Sequence, residues 1–416
     1  MRTVIVGAGV VGLATAYELL KAGHEVVVLE RDLYGEGPSH GNAALVTGVL
    51  SFPVPVPGTP LLAAKSVVSG NQAITVRPQF SPGFVAFLLR MAWATTKANF
   101  ATGTAAQDIL TRMVLADYAG YVADGLEFER HGGGSMHVFD SRAAFEAAIA
   151  IFDDFPDIKS RITVLEGSAA VHEVDPGLAA NIEYGYFAPG DLQVEPVSLM
   201  KALVAAITDK GGRLIEQARV IDFVTSNDQV SSVITTNGVF DADQVVIAAG
   251  VGSRGLAAKL GYRLPVFSGG GYSVDVHFDD ADRKPACSVM TDESHIAVTP
   301  LDWGLRASSG MIIGQASATV SAKVAAQLVA DLQAVYPNVP LDGVQPAWAG
   351  LRPMSADGVP VIGLVPGLNN TYLATGHAML GLTYAPSTAK VVRSLMEGTA
   401  PASYAMLSPA RFGGGK

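Results

Sequence analysis

The chain opens on an apolar run, residues 1–6 (MRTVIV), that reads as a buried strand. After a glycine-rich turn, Leu13 to Ala22 carries apolar residues at helical spacing and stops at Gly23. His24 to Leu29 is strand-like again and closes on Glu30, which makes one β-α-β unit. From Tyr34 to Pro60 periodicity gives way to a Gly/Pro-rich stretch. Irregular segments this long are usually functional, and the prolines of Ser51 to Pro60 suit a rigid wall over a site. Residues 80–155 are mostly helical, clearest in Asp108 to Leu126 and Ser141 to Phe155, with the strand Ser135 to Phe139 between them. Pro196 to Lys210 reads as a helix. Arg213 to Ile215, Arg219 to Ser226, Val230 to Thr236 and Asp243 to Ala248 read as strands. The last of these runs into Ala249-Gly250 like the opening segment and belongs in the same parallel sheet. Further on come strands at Gly271 to His277, Ser294 to Pro300 and Gly304 to Ser308, a helix at Ser321 to Tyr336, and a last helix at Ala385 to Glu397.

Composition narrows the class. A chain of 416 residues is long for one core. The fold class is α/β with mixed α+β parts, in two interleaved domains: 1–78, 160–252 and 346–416 against 79–159 and 253–345. With 49% hydrophobic and 16% charged residues the chain is globular, and a net charge of -10 without a Lys/Arg cluster excludes nucleic acid as a partner. The lone Cys287 allows neither an internal disulfide nor a cysteine metal site, and no metal is expected. No signal peptide and no run of 18 apolar residues is found, which points to the cytoplasm. Phe84 to Trp93 (FVAFLLRMAW) is the most apolar stretch; it reads first as a buried helix, second as one lying peripherally on the inner face of the cell membrane.

The sharpest motif is Gly7-Ala8-Gly9-Val10-Val11-Gly12 with an acid 18 residues on, at Glu30, followed by Arg31. The first glycine permits the turn, the second lets backbone approach a pyrophosphate, and the third lets helix and strand pack closely. The helix N-terminus supplies free N–H groups and a partial positive charge, and Glu30 can accept from ribose hydroxyls, which disfavours a 2′-phosphate. The unit alone does not separate FAD from NAD.

Four stretches carry a family resemblance: the glycine turn; Ser39-His40-Gly41-Asn42-Ala43-Ala44; Gly350-Leu351-Arg352-Pro353-Met354-Ser355-Ala356-Asp357-Gly358-Val359-Pro360-Val361-Ile362-Gly363; and Thr375-Gly376-His377-Ala378-Met379-Leu380-Gly381-Leu382-Thr383. Together they resemble the D-amino-acid oxidase/glycine oxidase superfamily of FAD-dependent oxidoreductases, on its D-amino-acid dehydrogenase (small-subunit type) branch. The resemblance implies a Rossmann-type FAD-binding domain interleaved with a substrate domain on a large mixed/antiparallel β-sheet. It implies an FAD held without a covalent bond, since Cys287 lies outside the C-terminal motifs and His40 stands two positions before Asn42. Ala249, Gly250 and Val220 are carried over as further cofactor contacts. Ser268-Gly269-Gly270-Gly271-Tyr272 departs from the family's Lys-Gly-Tyr pattern.

The chemistry implied is oxidative deamination of a small D-amino acid or cyclic imino acid such as D-proline or hydroxyproline. A hydride leaves Cα for flavin N5, and the imine hydrolyses to a 2-oxo acid. A planar guanidinium suits the substrate carboxylate, so Arg352 is the candidate anchor; its bland alternative is an ion pair with Asp357 or Glu397. Tyr272 and His295 are candidate pocket residues, and Met379, Leu380 and Gly381 candidate donors to the flavin edge. The electron acceptor is a quinone, a respiratory-chain component or O2. The competing readings are a sarcosine-type secondary amine oxidase and a non-catalytic FAD-binding subunit.

Overall fold

The structure, a computed structural model, describes residues 1–49, 52–54, 56–57 and 75–413. Half of the Ser51 to Pro60 loop therefore lies outside the described residues; Phe52, inside them, packs its ring 5.3 Å from that of Phe155.

A six-stranded sheet runs in the order Arg213–Ile215, Glu25–Leu29, Arg2–Val6, Gln244–Ile247, Thr371–Thr375, Val361–Leu364. The first five are parallel and the last is antiparallel. As expected, Gln244–Ile247 pairs with the opening strand, Val4 against Val245. Both faces are covered, which is why these strands read as continuous apolar runs. Ile5, Val28 and Val246 pack under the helices Val10–Lys21, Pro196–Asp209 and Gly381–Met396, while Val4, Val6 and Ile247 pack toward the antiparallel meander Val220–Ser226, Gln229–Thr235, Gly238–Asp241.

The second sheet has nine strands. Its main path is Trp348–Ser355, Val266–His277, Gly304–Ile313, Ala297–Leu301, Ser288–Thr291, Ser135–Phe139, Tyr184–Ala188, Thr163–Glu166. Its two faces differ. Val274, Val276, Val289, Val298 and Ala307 pack beneath Leu328 and Leu332 of the helix Ala322–Val335. The alternate residues Ser273, Ser288, Thr299, Arg306 and Ser308 form a buried polar face on the other side. Thr163–Glu166, Tyr184–Ala188 and Trp348–Ser355 are hydrogen-bonded into this sheet, so sheet membership does not follow the expected limits at 160 and 346.

Several expected elements differ. Val266–His277 and Gly304–Ile313 extend beyond the expected Gly271 to His277 and Gly304 to Ser308; in the first, neighbouring side chains occupy the space a Cβ would need at its glycines: Arg352 over Gly271, Gln315 over Gly270, Met354 over Gly269. The helix expected over Asp108 to Leu126 is two helices, Lys97–Thr111 and Val114–Ala123, parted by a tight turn in which Met113 N donates to Leu110 O. The last helix begins at Gly381, which places Pro386 inside it. Proline has no N–H for the carbonyl of Leu382, and the buried Tyr118 hydroxyl donates there instead at 2.7 Å. Phe84 to Trp93 is a helix, Pro82–Ala94, but only half buried: Phe84, Phe87 and Met91 face the core while Val85, Leu89 and Trp93 are exposed.

Candidate active site

The opening strand delivers the glycine turn to the edge of the six-stranded sheet. Gly7 has φ +109, and a Cβ there would strike Ala248 O. At Gly12 a Cβ would strike the Gly7 carbonyl, whereas at Gly9 it would meet only Ser39 Oγ. Two glycines are thus demanded by packing, and Gly9 leaves room for a ligand. Gly9 is the N-cap of Val10–Lys21 and brings no side chain to the helix end. Nearby, Ser39 Oγ accepts from Val10 N at 3.1 Å. Glu30 holds the turn: Oε2 accepts from Ala8 N at 2.7 Å and Oε1 from Asp32 N at 3.1 Å. Its half-buried carboxylate keeps further lone pairs for ribose hydroxyls. Half-buried Ala249 and Gly250 stand beside Gly7, and Gly250 O accepts from Thr375 Oγ1 at 3.0 Å. A helix end without an N-cap side chain, an open glycine and an acid fit an adenine dinucleotide.

The second stretch joins the two sheets. Arg306 Nη1 donates to the carbonyls of His40 at 2.8 Å and Asn42 at 3.0 Å, while its other nitrogens hold Asp275. Thr299 Oγ1 donates to Ala43 O at 2.7 Å. Ala44 sits at φ 58, and its N–H bonds Asn42 Oδ1 at 3.1 Å. The Trp348 ring covers Gly41 and Gly350 and lies 6.0 Å from the His40 ring. Asn42 Nδ2 reaches Met379 O at 3.3 Å, so the second and fourth stretches meet.

Arg352 sits opposite Gly269 in the register, with its guanidinium over Gly271. Nη1 donates to Gly310 O, and no carboxylate among the described residues pairs with it. Both bland partners are engaged elsewhere: Asp357 with Arg411 at 2.7 Å, Glu397 with Arg393 at 3.0 Å. Burial without a counter-charge pulls the guanidinium down to about 10. Tyr272 leans its ring on Gly310, whose φ of +84 and missing Cβ make the space. Tyr272 and Arg352 therefore converge on one residue, although Tyr272 also packs into the core under Ala322–Val335. Burial raises its phenol.

The fourth stretch ends the last parallel strand and enters the last helix. His377 is buried, its Nε2 2.9 Å from Thr388 Oγ1, and burial lowers it to about 3. The ring is neutral and anchored, unsuited to act as a base. Ala378, at φ 48, donates its N–H to Pro353 O at 2.9 Å, which ties this turn to the Arg352 strand. Leu380 is the N-cap and offers no side-chain bond, so the first N–H groups of the helix, at Gly381, Leu382 and Thr383, end beside Leu45, whose carbonyl accepts from Thr383 Oγ1 at 3.2 Å.

Three further expected residues lie on other segments. His295 is not on a strand: the strand begins at Ala297, and His295 occupies the preceding turn at φ 50 with its ring exposed. Its carbonyl accepts from Ser309 Oγ at 2.9 Å, and Ser309 stands opposite Tyr272 in the register. Arg31 is exposed and paired with Asp32 at 2.8 Å. Val220, expected to meet the adenine through its backbone, opens the meander, with its half-buried side chain packed against the core behind the six-stranded sheet. Two residues escaped the sequence reading, Arg306 and Trp348. The only hint at Arg306 was a charge amid the alternating strand Gly304 to Ser308.

Comparison with known proteins agrees with this geometry. The family "FAD dependent oxidoreductase" (DAO) matches residues 2–395. The D-amino acid dehydrogenase of Cereibacter sphaeroides is 32% identical over 412 residues, covering 96% of this chain and 93% of its own. That of Azorhizobium caulinodans is 30% identical over 420 residues, covering 96% and 97%. Among solved structures, L-proline dehydrogenase from P. horikoshii superposes with a TM-score of 0.78 at 17% identity, covering 99% of this chain and 97% of that one. Glycine oxidase from Geobacillus kaustophilus gives 0.77 at 22%, covering 99% of both. At these identities the structures speak for the fold alone.

Proposed function

The chain belongs to the DAO family of FAD-dependent oxidoreductases, and from that premise we propose that it oxidises the Cα–N bond of a small D-amino acid or a cyclic imino acid such as D-proline. The observation that carries this reading is Arg352, a guanidinium without a carboxylate partner among the described residues, on the strand tied to the His377 turn. A scaffold has no use for such a group, whereas a substrate carboxylate completes it with a bidentate pair. The names of the curated relatives, D-amino acid dehydrogenase, supply the substrate class.

FAD, when bound, supplies the two-electron acceptor. In our reading the six-stranded sheet holds its adenosine half through Gly7 to Gly12 and Glu30, without a covalent bond. The 39–44 stretch and the 376–383 turn flank the ring, and the nine-stranded sheet holds the substrate. Arg352 fixes the carboxylate and so orients Cα; Tyr272 supports it across Gly310. His377, neutral and bonded to Thr388, moves no proton, so the amine loses its proton to solvent before or on entry. The imine product hydrolyses to a 2-oxo acid after release. We assign the electrons to a quinone or another respiratory-chain component, and the protein to the cytoplasmic side.

The test is an anaerobic titration of the purified yellow protein with D- and L-amino acids, with Arg352→Ala alongside. Loss of flavin colour with D-substrates, much weakened in the variant, is expected, with little oxygen uptake in air. Full bleaching of Arg352→Ala, or none of the wild type by any amino or imino acid, overturns the reading.

A further inference from the structure

Glu129 and His131 lie at a spacing of two along an extended chain, which turns both side chains to one side. Asp302, in the turn between the strands Ala297–Leu301 and Gly304–Ile313, comes to meet them. His131 Nε2 stands 3.1 Å from Glu129 Oε1 and 3.5 Å from Asp302 Oδ1, and the Asp302 N–H donates to Glu129 Oε1 at 2.7 Å. Among the described residues no other three His, Cys, Asp or Glu side chains bring ligand atoms within 4.8 Å of one another. The cluster is remote from Arg352. Gly304, in the Asp302 turn, pairs with His277, whereas Arg352 pairs with Gly269, at the other end of that strand and roughly 27 Å of extended chain away.

Charge and spacing both call for a cation. The two carboxylates bring two negative charges, of which a protonated His131 would offset one. The ammonium of Lys284, beside the turn, is held by the carbonyls of Leu301 at 3.0 Å and Asp302 at 2.6 Å, not by either carboxylate. Zinc bonds nitrogen and oxygen at about 2.0–2.1 Å, so a tetrahedral centre sets its ligand atoms roughly 3.3–3.4 Å apart. The two edges at 3.1 and 3.5 Å bracket that spacing. One imidazole with two carboxylates is a donor set that zinc accepts, and no cysteine is needed. Glu129 is held in place, its side chain 13% exposed, while Asp302, 72% exposed, leaves an approach from solvent. A cavity of about 250 Å³, lined by His131, Gln193, Lys284, Pro300 and Asp302, adjoins them and leaves room for a water as fourth ligand.

We propose that Glu129, His131 and Asp302 bind one zinc ion, with water as its fourth ligand. The ion acts as a clip, since it lies far from the strand position that carries Arg352. On one side, the strand Arg130–His131 pairs with Leu192–Val194, where Gln193 stands opposite both His131 and Leu45. On the other, the Asp302 turn lies between Thr299, which holds the Ala43 carbonyl, and Arg306, which holds those of His40 and Asn42. Zinc thus joins two elements that grip the 40–45 segment from different directions. The proposal holds whatever the substrate, and whether or not Arg352 anchors it.

The test is calorimetric titration of zinc chloride into the FAD-loaded full chain, stripped of metal with a chelator, at neutral pH, with thermal melts alongside. His131→Gln and Asp302→Asn each remove one ligand; His172→Gln, whose imidazole is bonded within its own helix to Ser168, is the control. Far-UV circular dichroism matching that of the wild type shows that the variants fold, and Asp302→Asn, at an exposed position, keeps the test open if His131→Gln does not. One equivalent of zinc per chain is expected, with a melting temperature that rises with zinc. Affinity should fall about tenfold or more in both cluster variants and stay unchanged in the control. No binding by the wild type, or equal binding by wild type and Asp302→Asn, overturns the proposal. So does binding of magnesium or calcium as tight as that of zinc, because the imidazole would then not be a ligand.

Discussion

Arg306 and Asp275 form a fork-on-fork ion pair, Nε to Oδ1 at 2.7 Å and Nη2 to Oδ2 at 2.9 Å, on neighbouring strands of the nine-stranded sheet. The third nitrogen holds the His40 and Asn42 carbonyls, which belong to the nucleotide side of the molecule. One buried side chain therefore fixes both the sheet and the loop that we place beside the flavin. Arg306→Met leaves Asp275 unpaired and two carbonyls without a donor, a loss of about 3 kcal/mol. Both a lower melting temperature and a lower flavin content after gel filtration are expected. Arg306→Met with Asp275→Asn should recover part of the stability but not the flavin retention.

Arg352 is the sharpest lever on activity. Replacing it by Lys keeps the charge but loses the planar fork, and replacing it by Ala loses both. With charge-assisted hydrogen bonds contributing about 1.5–3 kcal/mol, Arg352→Ala should lower kcat/KM by roughly tenfold to a few hundredfold. Arg352→Lys should fall between. Steady-state kinetics with a dye acceptor reads this, and an unchanged kcat/KM in Arg352→Ala would remove the residue from the substrate site.

His377 couples stability to pH. Its ordinary value is 6.5, and burial lowers it to about 3 in the fold. The unfolded chain therefore binds a proton over a window in which the native ring does not. The neutral ring's contribution is complete above pH 6.5 and is lost as pH falls toward 3, by about 1.4 kcal/mol per pH unit at most. Melting temperature should drop on acidification through this window. His377→Gln, which retains a polar partner for Thr388, should show a shallower drop.

The hydroxyl of Tyr118 stands in for the N–H that Pro386 lacks. Tyr118→Phe strands the Leu382 carbonyl and should cost about 1–2 kcal/mol. Pro386→Ala supplies a backbone donor of its own. The cost of Tyr118→Phe should therefore shrink in the Pro386→Ala background, and additive losses in denaturant unfolding would show that the hydroxyl is not the replacement.

Local pattern made much of this legible. The glycine turn, Glu30 and the strand from Gln244 were readable because strand, turn and helix chemistry are written in adjacent residues, and Ser135–Phe139 because it stands between helices. Arg352 was found through its motif, and the engagement of Asp357 and Glu397 elsewhere removes its bland alternative. Less local features were hidden. Gly269 and Gly270 were left out of the strand expected from Gly271, since nothing in their own sequence says that Met354 and Gln315 will lie over them. Trp348 and Arg306 act on residues some three hundred positions earlier. His295 lies in a turn at positive φ where the apolar pattern predicted the start of a strand.

The order of strands in the six-stranded sheet carries a consequence for biosynthesis. Arg2–Val6 leaves the ribosome first, yet its neighbour Gln244–Ile247 follows some 240 residues later, and that strand's outer partner, Thr371–Thr375, later still. With such distant pairings the nucleotide cradle closes slowly and late. Loading with cofactor is then an event in the life of the finished polypeptide, and a product cut short before residue 371 would have its glycine turn but no completed sheet to hold it in shape.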